Sequence, residues 1–186
     1  MNLDFKKQLF FKMELELLRK VEIAKKICIE MFIQRNYTII ETDETRIIAH
    51  DENGENVVAF VSMDKINTEY TKEYIQLLTD LNMKHAIIIF NNTITSAAKK
   101  TIENLVDHEI ELFELCEMQF NITKHYLQPK FLKLTDEEIS SIDKSSKFGL
   151  PIMKSIDPIS RFYNYKKGNI IKICRNDNSI VFRKIV

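Results

Sequence analysis

Glycine and proline are scarce in this chain, with three of each in 186 residues. That leaves no room for long flexible linkers, collagen-like repeats or low-complexity architecture. Long apolar runs are missing too. The longest, Val57–Val61 and Ala86–Phe90, hold five residues each, whereas a membrane span needs about 18, so no span is expected. Lys6, Lys7 and Lys12 interrupt the N-terminal apolar residues, which is not the pattern of a secretory signal. The three cysteines, Cys28, Cys116 and Cys174, lie far apart, are odd in number and show no CxxC spacing. They are expected to be reduced, buried thiols of an intracellular protein, and no zinc site is expected.

What is present is a 45% hydrophobic composition, ample for the core of one domain or of one domain with a small companion. The 27 basic and 27 acidic residues balance overall but not locally. Up to Gln119 there are 14 basic and 21 acidic residues; from Phe120 onward there are 13 and 6. A balance of −7 against +7 suggests two units with different surroundings, although two ordinary solvated surfaces would look the same.

The first 35 residues read as one helix. Phe10, Met13, Leu17, Val21, Ala24, Cys28 and Met31 recur at steps of three or four, an apolar stripe expected to face the core. Asn36 follows and tolerates the left-handed conformation of a helix terminator. Tyr37–Glu41, Arg46–His50 and Asn56–Ser62 read as strands, with Asp51-Glu52-Asn53-Gly54 as a turn. Helix is then expected over Thr68–Leu81, strand over Ala86–Phe90, helix over Thr95–Val106 and strand over Glu109–Leu115. Apolar strands alternating with helices predict an α/β unit with a parallel or mixed sheet over residues 1–118.

Residues 119–186 differ. Thr135 and Glu138 have capping-box spacing, and Asp157-Pro158 sets a good N-cap before a proline at the first helical position. The helix that follows is short, ended by Asn164, with a turn at Lys166-Lys167-Gly168. Asn169–Arg175 and Ser179–Ile185 alternate as a hairpin about Asn176-Asp177-Asn178. The expectation is a small α+β module ending in that hairpin.

Catalytic constellations are scarce. His50, His85, His108 and His125 each stand alone in sequence, and no glycine-rich phosphate loop or GxSxG occurs. The order helix, three strands, helix, strand, helix is that of many metal-dependent nucleases, which need a carboxylate on one strand and a carboxylate-x-Lys on the next. Asn56–Ser62 carries no carboxylate, and the adjacent Asp64 and Lys65 would point to opposite faces of a strand. A divergent Mg²⁺-dependent nuclease is therefore the weaker alternative, together with a free-standing nucleic-acid-binding module in the basic third.

A group of C-terminal motifs is more specific: Asn121-Ile122-Thr123-Lys124-His125-Tyr126-Leu127-Gln128-Pro129-Lys130, Leu134-Thr135-Asp136-Glu137-Glu138, Leu150-Pro151-Ile152, Asp157-Pro158, Arg161-Phe162-Tyr163, Lys167 to Arg175, and Phe182-Arg183. In order and spacing they resemble the assembly domain of the fifth-largest subunit shared by eukaryotic RNA polymerases, itself similar to a small subunit of the archaeal RNA polymerase. The preceding element order is similar to the eukaryotic subunit's N-terminal jaw domain, of nuclease-like fold. Three positions depart from the family pattern. Asn164 stands where glycine is usual, the final hairpin connection is cut to Asn176-Asp177-Asn178, and Ser96 replaces a proline in Thr95-Ser96-Ala97-Ala98.

The resemblance implies a non-catalytic subunit of a multisubunit DNA-directed RNA polymerase, without cofactor or metal. Its C-terminal module would dock on the largest subunit, near neighbouring small subunits, and its jaw would lie beside downstream duplex DNA. It implies an intracellular setting: the nucleus for a cellular protein, the host cytoplasm or the virion for a viral one. The docking candidates are Arg161, Lys167, Lys172, Arg175 and Arg183, cations suited to an acidic surface, together with Tyr163. Tyr163 would serve equally as core, and Arg183 could pair within the module. Thr135, Glu138, His125, Pro129, Asp157, Pro158 and Gly168 shape the module; His125 is expected to hydrogen-bond backbone and Pro129 to end an extended segment. For weak, non-specific DNA contact the candidates are Asn91, Asn92, Thr93, Thr95 and Ser96 at a helix N-terminus, with Lys99 and Lys100 one turn later.

Overall fold

Helix α1 runs from Leu3 to Gln34 in the computed structural model, which describes residues 3–63, 65–91, 93–141 and 149–186. The helix ends at Asn36, whose φ of 62° is left-handed. The Asn36 N–H donates to the Ile33 carbonyl at 3.0 Å and the Tyr37 N–H to the Phe32 carbonyl at 2.9 Å, the paired closing bonds of a helix terminated by a left-handed residue. Asn82 (φ 52°) and Asn164 (φ 53°) end two later helices with the same pair of bonds. In this glycine-poor chain asparagine takes the terminating position each time.

The chain divides into two compact units, Met1–Phe120 and Asn121–Val186. In the first, strands β1 (Thr38–Thr42), β2 (Arg46–His50), β3 (Asn56–Ser62), β4 (His85–Phe90) and β5 (Glu109–Glu114) form one sheet in sequence order. β1, β2 and β3 pair antiparallel, whereas β3, β4 and β5 are parallel and joined by α2 (Thr68–Asp80) and α3 (Ser96–Glu103). One face packs Val58, Phe60, Ile88 and Phe90 against Leu78 of α2 and Ala98 of α3. The other alternates Val57, Ala59, Ile87 and Ile89, all buried, and α1 packs on β1, β2 and β3. Burial on both faces explains the unbroken apolar sequence of β3 and β4. Each fully buried Val or Ile there contributes about 1.5–3 kcal/mol.

Three expectations are corrected. The α1 stripe is core only from Val21 onward: Val21, Ala24, Cys28 and Met31 are buried, but Phe10 is 69% and Met13 63% exposed. At about 1.5 Å per residue, Val21–Gln34 already matches the roughly 20 Å of a five- to seven-residue strand, so the earlier turns outrun the sheet. Helix α3 stops at Glu103, because Asn104 caps it, and leaves Val106 exposed. Only Cys28 is a buried thiol, raised to about 12 by burial; Cys116, in the turn after β5, is exposed and Cys174 half-buried. No described helix is long and apolar enough to cross a membrane.

The second unit contains β6 (Lys130–Lys133), α4 (Asp136–Ser141), β7 (Ile152–Met153), α5 (Pro158–Phe162), β8 (Ile170–Cys174) and β9 (Ile180–Ile185). Its sheet order is β6-β8-β9-β7, with β7 parallel to β9 and the other pairs antiparallel. The β8–β9 hairpin is the predicted one. Asp177 Oδ1 accepts from Ser179 N–H at 2.9 Å, and Asn178 takes a φ of 64°. Ile171, Ile173, Ile185, Met153, Ile159 and Tyr165 form the core. The capping box of α4 is complete: Thr135 N–H donates to Glu138 Oε2 at 2.9 Å and Glu138 N–H to Thr135 Oγ1 at 3.3 Å. Asp157 Oδ1 accepts from Ile159 N–H at 2.9 Å, with Pro158 at the first position of α5. Pro129 stands immediately before β6. It opens a strand where it was expected to end one, since its missing N–H is harmless at a strand start.

Candidate functional site

The expected docking residues lie on α5 and the hairpin. Arg161 occupies the last turn of α5 and is half-buried; Lys167 and Arg175 are exposed. Lys172, at the middle of β8, is half-buried. Tyr163 is half-buried as well, and burial raises its hydroxyl pKa. Its ring stacks on Tyr165 (centroids 5.2 Å, 14°) and meets Phe162 edge-on at 5.4 Å. The ring is thus engaged in its own module. Gly168 adopts φ 93°, a conformation that a side chain would strain, and its N–H donates to the Ile185 carbonyl at 2.9 Å. His125 is exposed and its Nδ1 accepts from the Leu127 N–H at 3.3 Å.

Arg183 is half-buried, opposite Ile171 on the core side of the sheet. Among the described residues its buried Nε has no hydrogen-bond partner, and its NH1 reaches the Ile152 carbonyl at 3.5 Å. Among the described residues no carboxylate pairs with it. The internal pairing allowed for in the sequence is not seen among the described residues.

In the first unit, Thr95 caps α3 by accepting from Ala98 N–H at 3.2 Å, while Thr93, Ser96, Lys99 and Lys100 are exposed. Asn92 lies outside the described residues. The structure adds a neighbour that the sequence did not reveal. Ile66 N–H donates to the Thr93 carbonyl at 3.2 Å and Thr95 N–H to the Ile66 carbonyl at 3.0 Å. This bridge brings together the starts of α2, capped by Asn67, and α3, both leaving the carboxyl ends of parallel strands. Open α/β sheets present ligand-facing edges there.

Sequence reasoning also missed a buried charge cluster. The parallel register of β4 and β5 places His85 opposite Glu109, with Glu111 two residues on along the same face. Arg35, one residue beyond α1, grips Glu111 through two bonds of 2.7 and 2.8 Å, and His85 Nε2 lies 2.7 Å from Glu111 Oε1. Burial alone would raise the Glu111 pKa, but the Arg35 charge and the bonds from His85 and Arg35 hold it down to about 2. Burial opposes the Arg35 charge in turn, and Glu111 more than offsets that, raising Arg35. His85 therefore does not stand alone as its sequence context implied.

His85, Glu109 and Glu111 offer three possible metal-ligand atoms within 4.8 Å of one another. Arg35 already supplies the cation, however. Two ligands of a tetrahedral ion bound at about 2.1 Å stand about 3.4 Å apart, wider than the 2.7 Å of the His85–Glu111 contact. The cluster is an ion-pair network joining α1 to the sheet.

Comparison with known proteins decides the family. The model of the RNA polymerase Rpb5 C-terminal domain matches residues 120–184. The chain is 33% identical over 172 residues to a putative DNA-directed RNA polymerase subunit, 454R, of Invertebrate iridescent virus 6, covering 83% of this chain and 93% of that protein. This chain belongs to the Rpb5 family of DNA-directed RNA polymerase subunits. It is also 31% identical over 124 residues to the subunit rpabc1 of DNA-directed RNA polymerases I, II and III in Dictyostelium discoideum, 63% of each chain. Among solved structures it is similar to the ATP-dependent Type ISP restriction-modification enzyme LlaBIII bound to DNA, at TM-score 0.43 and 17% identity over 73% of this chain and 11% of that one. The Rpb5 relatives are polymerase subunits from a virus and from eukaryotes, and the mixed sheets flanked by helices carry the Rpb5 C-terminal domain as their second unit.

Proposed function

We propose that this Rpb5-family chain is a non-catalytic polymerase subunit in which residues 119–186 dock on the largest subunit and residues 1–118 form a nuclease-like jaw beside downstream DNA. The observation that carries the reading is the basic C-terminal unit. Its match to the Rpb5 C-terminal domain spans residues 120–184, and it holds Arg161, Lys167, Lys172 and Arg175 on a short capped helix and a hairpin. Such a platform suits an acidic partner surface, with arginine able to bind carboxylates in bidentate fashion. Beside DNA, the paired helix starts around Thr93, Thr95 and Ser96, with Lys99 and Lys100, favour phosphate without reading sequence. The −7 balance of the jaw keeps that contact weak and salt-sensitive. The setting is intracellular, in the nucleus, the host cytoplasm or the virion.

Tagged protein should bring down the two largest polymerase subunits in stoichiometric amount from cells that contain the assembled enzyme. Recovery as a free monomer would overturn the proposal. Arg161→Glu should weaken that assembly while leaving the circular dichroism spectrum unchanged; full incorporation would remove Arg161 from the docking surface.

A further inference from the structure

The four strands of the C-terminal unit contain five Lys or Arg residues and no Asp or Glu. Strand register assigns their side chains to two faces. Ile171, Ile173, Ile185 and Met153 point into the core with Ile159 and Tyr165. On the opposite face Leu132, Lys172 and Phe182 lie side by side across β6, β8 and β9, and Lys184 stands next to Ile152 of β7, with Ile180 two residues before Phe182 on β9. The open face of an antiparallel sheet is ordinarily polar. Here Leu132 is 39%, Ile180 52% and Ile152 60% exposed. Among the described residues neither Lys172 nor Lys184 has a carboxylate partner.

Lysines spaced among aliphatic side chains, with one half-buried aromatic ring, Phe182, on this face, fit a polypeptide better than a nucleic acid, which stacks successive bases on a series of aromatic rings. The absence of any acid from the strands fixes the sign of the complementary charge. We propose that this open face receives an acidic segment bearing aliphatic side chains, supplied by the polymerase subunit on which the C-terminal unit docks. The inference rests on the subunit reading above and names the face and the chemistry of that contact.

The test uses the full chain co-expressed with the largest subunit of its polymerase. Lys172→Glu combined with Lys184→Glu should lower the co-purified largest subunit about tenfold or more, whereas Lys172→Arg with Lys184→Arg should retain it. Ile180→Ser should lower it about fivefold, with the thermal midpoint of the free chain unchanged. Undiminished co-purification of the glutamate and serine variants, while the unaltered chain assembles, overturns this inference and leaves the subunit reading standing. If the unaltered chain fails to assemble, both fall. Three further results overturn the inference alone. One is a concentration-dependent dimer in sedimentation that Ile180→Ser abolishes, which makes a second copy the occupant. Another is loss of duplex or single-stranded DNA binding with assembly intact. The third is a lowered thermal midpoint for Ile180→Ser in the free chain, which would mean that the chain covers the face itself.

Discussion

The two units handle charge in opposite ways. The first, with its acidic surplus, matches cations to carboxylates within itself: Arg35 to Glu111, Arg46 to Asp43 and Glu41, and Lys20 to Glu16. In the second, Lys172, Lys184 and Arg183 have no carboxylate partner among the described residues, and the strands bearing them contain no acid. The Arg35–Glu111 pair answers a demand of folding, because a buried ion needs its counter-ion close by, whereas the Arg46 and Lys20 pairs lie at the surface. Lys172 and Lys184 on the open face of the second unit meet no such demand, and under the proposal above their counter-charge comes from a partner.

That contrast is broken most directly at Arg35, whose side chain is only 2% exposed. Arg35→Ala leaves Glu111 buried without its counter-charge and should destabilise the first unit by about 3–5 kcal/mol in denaturant unfolding. Arg35→Met with Glu111→Leu should recover most of the loss. A cost under about 1 kcal/mol for Arg35→Ala would show that the pair is not an electrostatic anchor. The same pair predicts a pH dependence. The Glu111 pKa is depressed from 4.5 to about 2 on folding, so its contribution is fully present above pH 4.5 and is lost as pH falls through 4.5 toward 2. Unfolding midpoints measured across that window should drop for the unaltered chain and flatten for Glu111→Gln.

Smaller effects sharpen the comparison in the second unit. Asp157→Ala should cost about 1 kcal/mol through loss of the α5 cap, and Asn164→Ala about 1–2 kcal/mol through the left-handed backbone it must keep. Asn164→Gly should stay within about 0.5 kcal/mol of the original. Smallest of all, Lys172→Glu should shift stability by no more than about 0.5 kcal/mol, as expected of a charge that is not employed in folding; a larger loss by thermal denaturation would end the contrast between the units.

Much of the local structure was legible in the sequence because its causes are local. Asn36, the Thr135–Glu138 box, Asp157-Pro158 and the Asn176-Asp177-Asn178 turn each act within a few residues, and each does in the structure what its chemistry predicts. The Arg35–Glu111–His85 cluster was not legible, since Arg35 and Glu111 are 76 positions apart and His85 meets Glu111 only through the parallel register of β4 and β5. The exposed start of α1 was misread for a related reason: periodicity marks which side of a helix is apolar, but not how far the sheet beneath it extends. Strands β6 and β7 escaped notice because four and two residues are too few for alternation to register. Of the candidate docking residues, the sequence supplied the chemistry, and only the register assigned Lys172 and Arg183 to opposite faces.

The asparagines that close three helices carry an implication for how this gene can change. Glycine is written with G-rich codons and asparagine with A-rich ones, yet at Asn36, Asn82 and Asn164 the polypeptide makes the same reversal of direction. A coding sequence drifting toward A and T can therefore shed glycine at such corners while the architecture survives, so that base composition and fold evolve with a degree of independence.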